Sequence, residues 1–180
     1  MAYEIVTDSS CNLSEEMISE LGLHILPLTF MVDNIQYHSY LKDKHTDLKQ
    51  FYTMMREGKV ITTSLPNLVD SETLITSILD RGNDVLYLGF SSGLSGTYEA
   101  IETICHNLSE KYPQRTITCV DTLAASTGEG LLVYLACQKR DAGYSIGELA
   151  NWVEENRLHI AHWLSLIHIS EPTRLRCISY

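Results

Sequence analysis

Residues 84–98 read Asp84-Val85-Leu86-Tyr87-Leu88-Gly89-Phe90-Ser91-Ser92-Gly93-Leu94-Ser95-Gly96-Thr97-Tyr98. The apolar first half is typical of a buried strand, and the residues from Tyr98 to Ile104 predict a helix. Glycines and hydroxyls between a strand and a helix bring backbone N–H groups and side-chain donors to a helix N-terminus, where an anion or a carboxylate binds. The loop contains no obvious base, so it indicates binding rather than cleavage.

Strand and helix patterns alternate along the rest of the chain, which predicts an α/β fold with a mostly parallel sheet. The other predicted strands are Tyr3–Thr7, His24–Phe30 with Pro27 at an edge or bulge, and Arg115–Val120, and a hairpin joins Phe30–Val32 to Ile35–Tyr37 across Asp33 and Asn34. The predicted helices run from the cap Asn12 to Leu21, from the cap Thr46 to Arg56, from the cap Asn67 to about Leu79, from Ser126 to about Lys139 and from the capping box at Ser145 to about Arg157.

Four loops rich in hydroxyls follow or precede these elements. They are Asp8-Ser9-Ser10, Thr62–Asn67, Ser91–Tyr98 and Asp121–Thr127. Each could simply cap a helix. Because ligands of parallel sheets lie beyond the carboxyl ends of the strands, the coincidence of four such loops predicts a shared binding site there.

Charge and cysteine content narrow the class of protein. The chain has 13 basic and 23 acidic residues and a net charge of −10, which argues against nucleic acid and anionic membranes as partners. The five cysteines, at 11, 105, 119, 137 and 177, form no CxxC pair, and no signal peptide precedes the first strand. No apolar run approaches the roughly 18 residues of a membrane span. We therefore expect a cytoplasmic protein without stable membrane insertion.

A serine hydrolase or esterase is the main catalytic alternative. Gly89-Phe90-Ser91-Ser92-Gly93 matches G-x-S-x-G between a strand and a helix, with Ser91 as the nucleophile. Acids at Asp121 and Asp141 and histidines at His106, His159 and His162 follow, but no histidine lies at a recognisable strand end and no HGGG-like oxyanion loop precedes.

Phosphoryl transfer and metal chemistry have weaker support. The chain lacks G-x-x-x-x-G-K-[ST], and the Ser91 loop has no basic residue. The pairs His38 and His45, and His159 and His162, lack carboxylates or thiols at ligand spacing. We predict no catalytic residue, no metal site and no cofactor.

The C-terminal segment 164–180 begins Leu164-Ser165-Leu166-Ile167-His168-Ile169-Ser170-Glu171-Pro172 and resembles the translation of a transposase-type sequencing adapter. Such segments are excluded from fold reasoning. We therefore expect one domain over residues 1–163, a non-native tail over 164–180, and a native gene that continues past Trp163.

Taken together and in this order, five groups of residues resemble the DegV family of bacterial fatty-acid-binding proteins. They are Thr7-Asp8-Ser9-Ser10 with Leu13, Pro27-Leu28, Thr63-Ser64-Leu65-Pro66, the Ser91–Tyr98 loop, and Asp121 with Gly128-Glu129-Gly130. Leu65 departs from the family pattern, where glutamine is usual, and Cys11-Asn12 replaces a more typical Ser/Thr-Asp. The resemblance implies a three-layer α/β/α lobe, with the second lobe of the family missing from this chain.

The resemblance also implies a function. Members of the family bind one long-chain fatty acid, such as palmitate, without a covalent bond and present it to a fatty-acid kinase for lipid metabolism. Thr63 and Ser95 occupy the positions that hold the carboxylate, and Ser64, Ser92 and Gly96 flank them in the same motifs. The lobe that supplies a further histidine is absent, so we expect impaired binding by this fragment.

An acyl chain also needs apolar walls. At about 0.8 kcal/mol per buried CH₂, a chain of about 16 carbons supplies on the order of 10 kcal/mol before ordering costs. The candidates are Ile25, Leu26, Leu28, Phe30, Ile61, Leu131, Leu132, Leu135 and Ala136, each of which could equally be ordinary core.

Overall fold

The structure, a computed structural model, describes residues 2–33, 35–40 and 47–162. The predicted cap Thr46, the turn residue Asn34, His45, Trp163 and the predicted tail 164–180 lie outside these residues. Within the described part, none of the helices combines the length and apolar character needed to cross a bilayer.

Strands and helices alternate in the described residues. In chain order they are β1 (Tyr3–Asp8), α1 (Glu15–Glu20), β2 (His24–Leu26), β3 (Thr29–Val32), β4 (Ile35–His38), α2 (Leu48–Arg56), β5 (Ile61–Ser64), α3 (Leu68–Asp80), β6 (Asp84–Gly89), α4 (Thr97–Lys111), β7 (Ile117–Asp121), α5 (Ser126–Asp141) and α6 (Ile146–Asn156). Short 3₁₀ turns cover Ser9–Cys11 and Arg157–His159.

A parallel sheet with the strand order β2-β1-β6-β7 forms the middle layer. β6 is buried over its whole length because helices cover both faces of the sheet. On one face, Ile5 and Leu88 pack with residues of α1, α5 and α6, among them Leu132. On the other face, Val6 and Tyr87 pack with residues of α3 and α4. The molecule is therefore a three-layer α/β/α structure, as the resemblance implied.

A second, antiparallel sheet with the order β4-β3-β5 lies beside the first. Val32 pairs with Ile35, which confirms the predicted hairpin. Phe30 pairs with Thr63, so β5 joins the other side of β3. The ring of Phe51 in α2 contacts the Phe30 ring edge-on, with 4.9 Å between centroids.

The predicted strand His24–Phe30 is wrong, because the structure divides it between the two sheets. His24–Leu26 pairs with β1 in the parallel sheet, whereas Thr29–Val32 belongs to the antiparallel sheet. Pro27 lies at the division, where a residue without a backbone donor does not interrupt either ladder. β5 was not predicted as a strand at all.

Two predicted helix starts also differ from the structure. Asn12 does not cap α1: it has a φ of 52° at the end of the first 3₁₀ turn, and Ser14 caps α1 by accepting a hydrogen bond from the Met17 N–H. For α2, the N-cap is Asp47, whose carboxylate accepts from the Gln50 N–H. The predicted cap Asn67 and the capping box of Ser145 with Glu148 are confirmed.

Candidate functional site

A pocket of about 580 Å³ lies where the carboxyl end of the parallel sheet meets the antiparallel sheet. Its apolar walls are Leu28, Phe30, Phe51, Leu65 and Phe90. Its polar atoms are neutral and come mostly from hydroxyls; Ser9, Ser10, Asn12, Thr29, Ser39, Thr63, Ser64 and Ser95 supply them. Among the described residues, no charged side chain lines this pocket.

Three of the four predicted hydroxyl loops reach this pocket. Ser10 comes from the segment after β1, Ser95 from the loop after β6, and Ser64 from the end of β5, within the predicted loop Thr62–Asn67. Parallel pairing of β1 with β6 ends at Thr7 and Leu88, which places the first two loops side by side. The loop after β7 does not line the pocket and instead supports the Ser91–Tyr98 loop from behind, through Asp121.

Ser95 presents its hydroxyl at the start of α4. The Thr97 N–H donates to Ser95 Oγ over 3.2 Å, and the two side-chain hydroxyls are 2.8 Å apart. The Ser95 N–H in turn donates to the Ser91 carbonyl over 3.1 Å, which closes the turn. Ser95 Oγ therefore accepts from the helix terminus, and its proton is available to the pocket when Thr97 Oγ1 is the donor of the hydroxyl pair.

Thr63 and Ser64 differ in what their hydroxyls can do. In the part of the chain that the structure describes, Thr63 Oγ1 has no hydrogen-bond partner, and the side chain is exposed. Thr29 Oγ1 donates to the Leu65 carbonyl over 3.2 Å, so Ser64 Oγ must donate its only proton to Thr29 Oγ1, 2.6 Å away. Thr63 is thus a free donor, whereas Ser64 is tied to the strand behind it.

The structure does not bring Ser92 and Gly96 to the pocket lining. Ser92 Oγ donates to Asp121 Oδ2 over 2.5 Å, and Gly96 is the N-cap residue of α4. Gly96 has a φ of −74° and open space where a Cβ would stand, so neither its backbone nor its surroundings demand glycine.

Only part of the predicted apolar wall lines the pocket. Leu28 and Phe30 do. Four of the other candidates are buried in the cores on either side of the parallel sheet; they are Ile25, Leu26, Leu132 and Ala136. Leu131 is exposed, and Ile61 and Leu135 are half-buried away from the pocket. Periodicity identifies apolar faces without showing which face meets a cavity, so Phe51 and Phe90 were missed.

Ser91 lacks the surroundings of a nucleophile. Its side chain is buried, with 5% of the residue exposed, and its Oγ accepts from the Gly93 N–H over 3.3 Å. Within the described residues, Ser91 makes no hydrogen bond to a histidine. Nothing in this geometry supports the serine hydrolase alternative.

Sequence reasoning missed a buried acid pair beneath the pocket. Asp8 at the end of β1 and Glu129 in α5 are both fully buried, and both contact Ser10 Oγ. Burial and, secondly, the charge of Asp8 raise the pKa of Glu129 to about 9. Burial also raises the pKa of Asp8, although hydrogen bonds from Ser10, Phe90 and Tyr87 oppose that rise. Glu129 appears in the sequence only within Gly128-Glu129-Gly130, and a single glutamate gives no pattern that marks burial.

Metal ligands do not cluster in the residues that the structure describes: no group of three or more His, Cys, Asp or Glu side chains could hold an ion there. His45 lies outside the described residues. His159 and His162 are described, but no third ligand joins them in the described part of the chain.

Relatives of known sequence were found by comparison with curated proteins. A DegV domain-containing protein of Clostridium perfringens is 38% identical over 176 residues, which cover 96% of this chain and 60% of that protein. A DegV domain-containing protein of Lactococcus lactis is 34% identical over 148 residues, covering 82% of this chain and 51% of the relative. The chain therefore spans about half to three-fifths of the length of these relatives.

Solved structures with the same fold include two proteins described as binding fatty acids. A fatty-acid-binding DegV family protein from Thermus thermophilus superposes with a TM-score of 0.75 at 30% identity, covering 88% of this chain and 54% of that one. A stearic-acid-binding protein from Eubacterium ventriosum superposes with a TM-score of 0.76 at 23% identity, which shows the shared fold, and covers 84% of this chain and 52% of that one.

A family model agrees with these similarities. The model of the uncharacterised DegV family matches residues 2–170, which is most of the sequence. The match, the curated relatives and the fold are consistent with one another, and the chain belongs to the DegV family.

Proposed function

We propose that this chain binds a long-chain fatty acid non-covalently in the pocket between its two sheets. The observation that carries the proposal is the pairing of an apolar wall with two neutral donors, Thr63 and Ser95, in a pocket where none of the described lining residues is charged. Fatty-acid binding by the Thermus thermophilus relative supports the same function.

The pocket suits an acyl chain in size and character. A volume of about 580 Å³ falls within the usual range of about 300–1,000 Å³ for small-molecule sites. The aromatic rings of Phe30, Phe51 and Phe90 offer apolar surface to methylene groups, each worth about 0.8 kcal/mol on burial.

The polar end suits a carboxyl group that has to be released again. Thr63 Oγ1 and Ser95 Oγ can each donate one hydrogen bond to a carboxylate oxygen, and the N-terminus of α4 adds a favourable dipole. Neither donor is charged, so the head group is held without an ion pair. We propose on this ground a non-enzymatic, cytoplasmic carrier of palmitate-like acids that presents the carboxyl group to a fatty-acid kinase.

Lipid extraction tests the proposal. We expect organic extracts of the purified chain to contain long-chain fatty acid by mass spectrometry. Calorimetric titration of delipidated chain with palmitate should saturate near one molecule per chain, with the weakened affinity expected for a chain without the second lobe. Absence of fatty acid in the extract together with no saturable uptake of palmitate would contradict the proposed function. Ester turnover that disappears in Ser91→Ala would favour a hydrolase instead.

A further inference from the structure

We propose that Glu129 is a positioning residue: it carries a proton at neutral pH and, through Ser10, holds the pocket wall formed by Ser9, Ser10 and Asn12 in place. The part of this inference that concerns ligand affinity rests on the proposed function; the part that concerns the proton does not.

A count of protons around Ser10 leads to this inference. Ser10 Oγ is 2.5 Å from Asp8 Oδ1 and is also in hydrogen-bond contact with Glu129 Oε2. A serine hydroxyl has one proton and can donate to only one of these carboxyl groups. The other contact requires a proton on a carboxyl oxygen, so the pair Asp8 and Glu129 shares a single negative charge.

The remaining donors decide which carboxyl is ionised. Asp8 accepts from the Phe90 N–H over 2.9 Å, from the Ser10 N–H over 3.0 Å and from the Tyr87 hydroxyl over 3.3 Å. Among the described residues, the one donor to Glu129 apart from its contact with Ser10 is Thr7 Oγ1, 3.2 Å from its other carboxyl oxygen. Donors stabilise the ionised form, so the charge lies on Asp8. Glu129 then donates to Ser10 Oγ, and Ser10 Oγ donates to Asp8.

In the described part of the chain, two further titratable groups that face the pair Asp8 and Glu129 are neutral. Tyr87 on β6 and Cys11 in the 3₁₀ turn face it, and burial raises the pKa of Tyr87 and raises that of Cys11 to about 12, so both are neutral. His162 packs against Gly128, the neighbour of Glu129. Within the described residues, neither Asp8 nor Glu129 has an ion pair with a basic side chain.

The protonated pair is joined directly to the pocket. Ser10 lines the pocket, and Ser9 Oγ accepts from the Leu28 N–H over 2.9 Å and lies 2.5 Å from Ser39 Oγ. Behind this wall, Gly130 is so close to Cys11 that a Cβ would collide with the Cys11 carbonyl oxygen. If Glu129 lost its proton, two buried carboxylates would face each other across one hydroxyl, and the wall would have to move.

The pH dependence of folding tests where the proton lies. A carboxyl that is protonated in the folded chain and ionised in the unfolded chain makes folding take up one proton, so the unfolding equilibrium constant rises about tenfold per pH unit. We expect urea titrations between about pH 6 and about pH 8 to show this tenfold rise in the unfolding equilibrium constant per pH unit. Glu129→Gln, which keeps a donor for Ser10 and an acceptor for Thr7, is expected to lose it. Glu154→Gln, exposed on α6, is the matched control and should keep the wild-type slope.

A second measurement needs no variant. In chain labelled with ¹³C at glutamate carboxyls, we expect one resonance, that of Glu129, to titrate near pH 9, far above the usual range of a glutamate side chain. Equal pH slopes for wild type and Glu129→Gln, or glutamates that all titrate at ordinary values, would overturn the inference.

Palmitate titration separates this inference from the proposed function. We expect wild-type affinity to fall above about pH 9, whereas Glu129→Gln keeps its affinity. A flattened pH slope in Glu129→Gln with no palmitate uptake at any pH would uphold the protonated Glu129 and contradict fatty-acid binding. If wild type and Glu129→Gln both bind palmitate with identical pH profiles, fatty-acid binding is upheld and the protonated Glu129 is contradicted.

Discussion

Ser92 Oγ donates to Asp121 Oδ2 over 2.5 Å and so ties the loop after β6 to the end of β7. The Ser92 N–H and the Leu123 N–H donate to Oδ1 of the same carboxylate, over 3.3 Å and 2.9 Å. Asp121 therefore anchors two loops at once, and Ser92 supports the shape of the loop that presents Ser95.

Ser92→Ala is expected to lower the free energy of unfolding. Loss of a hydrogen bond to a charged group costs about 1.5–3 kcal/mol, and the lower end applies because two backbone donors to Asp121 remain. Urea denaturation measures the change. Ser77→Ala, an exposed serine of α3, is the control and should cause no loss. Equal stability of the two variants would show that the Ser92 contact contributes nothing.

Thr63→Val combined with Ser95→Ala is expected to abolish the capture of a fatty-acid carboxylate while the fold is retained. Each lost hydrogen bond to a carboxylate is worth about 1.5–3 kcal/mol, which is roughly a tenfold to hundredfold weaker affinity per hydroxyl. Calorimetric titration with palmitate and with hexadecanol tests whether the affinity is lost because hydrogen bonds to the carboxylate are lost. In that case the double variant should discriminate less than wild type between the acid and the alcohol.

Thr62→Val is the matched control for that experiment. Thr62 is the strand neighbour of Thr63, is exposed, and is not among the described residues that line the pocket. We expect unchanged palmitate affinity in Thr62→Val. An unchanged affinity in the double variant as well would remove Thr63 and Ser95 from the site.

Phe51→Ala is expected to lower the affinity for a fatty acid, because Phe51 forms part of the apolar wall of the pocket. Phe51 lines the pocket, and losing contact with one or two methylene groups lowers affinity by about 0.8 kcal/mol for each. The loss should grow with acyl chain length in a series of saturated acids. Tyr52→Ala removes the neighbouring ring, which is 53% exposed and outside the lining, and should leave the series unchanged. A uniform loss across all chain lengths would argue against contact between Phe51 and the acyl chain.

Glu4 gives the chain an acid-sensitive contribution to stability. Burial alone would raise the pKa of Glu4, but hydrogen bonds from Asn83 and His24 and the charges of His24 and Arg81 outweigh it and lower the pKa. The depressed pKa means that this stability is present above the unfolded pKa of about 4.5 and is lost as pH falls through the folded value.

We therefore expect Glu4→Gln to be less stable than wild type at neutral pH, by roughly 1 kcal/mol because solvent screens the partly exposed ion pairs. The difference should shrink as pH falls below about 4.5 and vanish once the pH is below the lowered pKa of Glu4 in the folded chain. Thermal unfolding at several pH values measures it. A constant difference at all pH values would point to lost packing rather than lost charge.

The sequence predicts the centre of this fold well and its second sheet poorly. β6, the following loop and α4 are recognisable because an uninterrupted apolar run precedes glycines and hydroxyls. β5 has no such pattern: its residues Ile61–Ser64 are mostly exposed, and only pairing with β3 makes them a strand. Tertiary pairing of this kind is absent from local sequence.

The candidate site likewise contains residues that the sequence identifies and residues that only the structure reveals. Thr63, Ser64 and Ser95 can be identified from their motifs, and the structure brings them to one pocket. The roles of Ser92 and Glu129 depend on Asp121 and Asp8, which are distant in sequence, so no local pattern distinguishes them. The domain boundary after Trp163 stays a prediction.

Only two residues, Pro27 and Leu28, separate β2 from β3, although the two strands belong to different sheets. The Cα atoms of Leu26 and Thr29 can therefore lie at most about 11 Å apart, so the hairpin cannot swing far from the parallel sheet at this end. Leu28 is at once a linker residue and part of the pocket wall. Chain connectivity therefore constrains the position of Leu28 at the edge of the pocket, and under the proposed function Leu28 would be a wall of fixed position for the acyl chain.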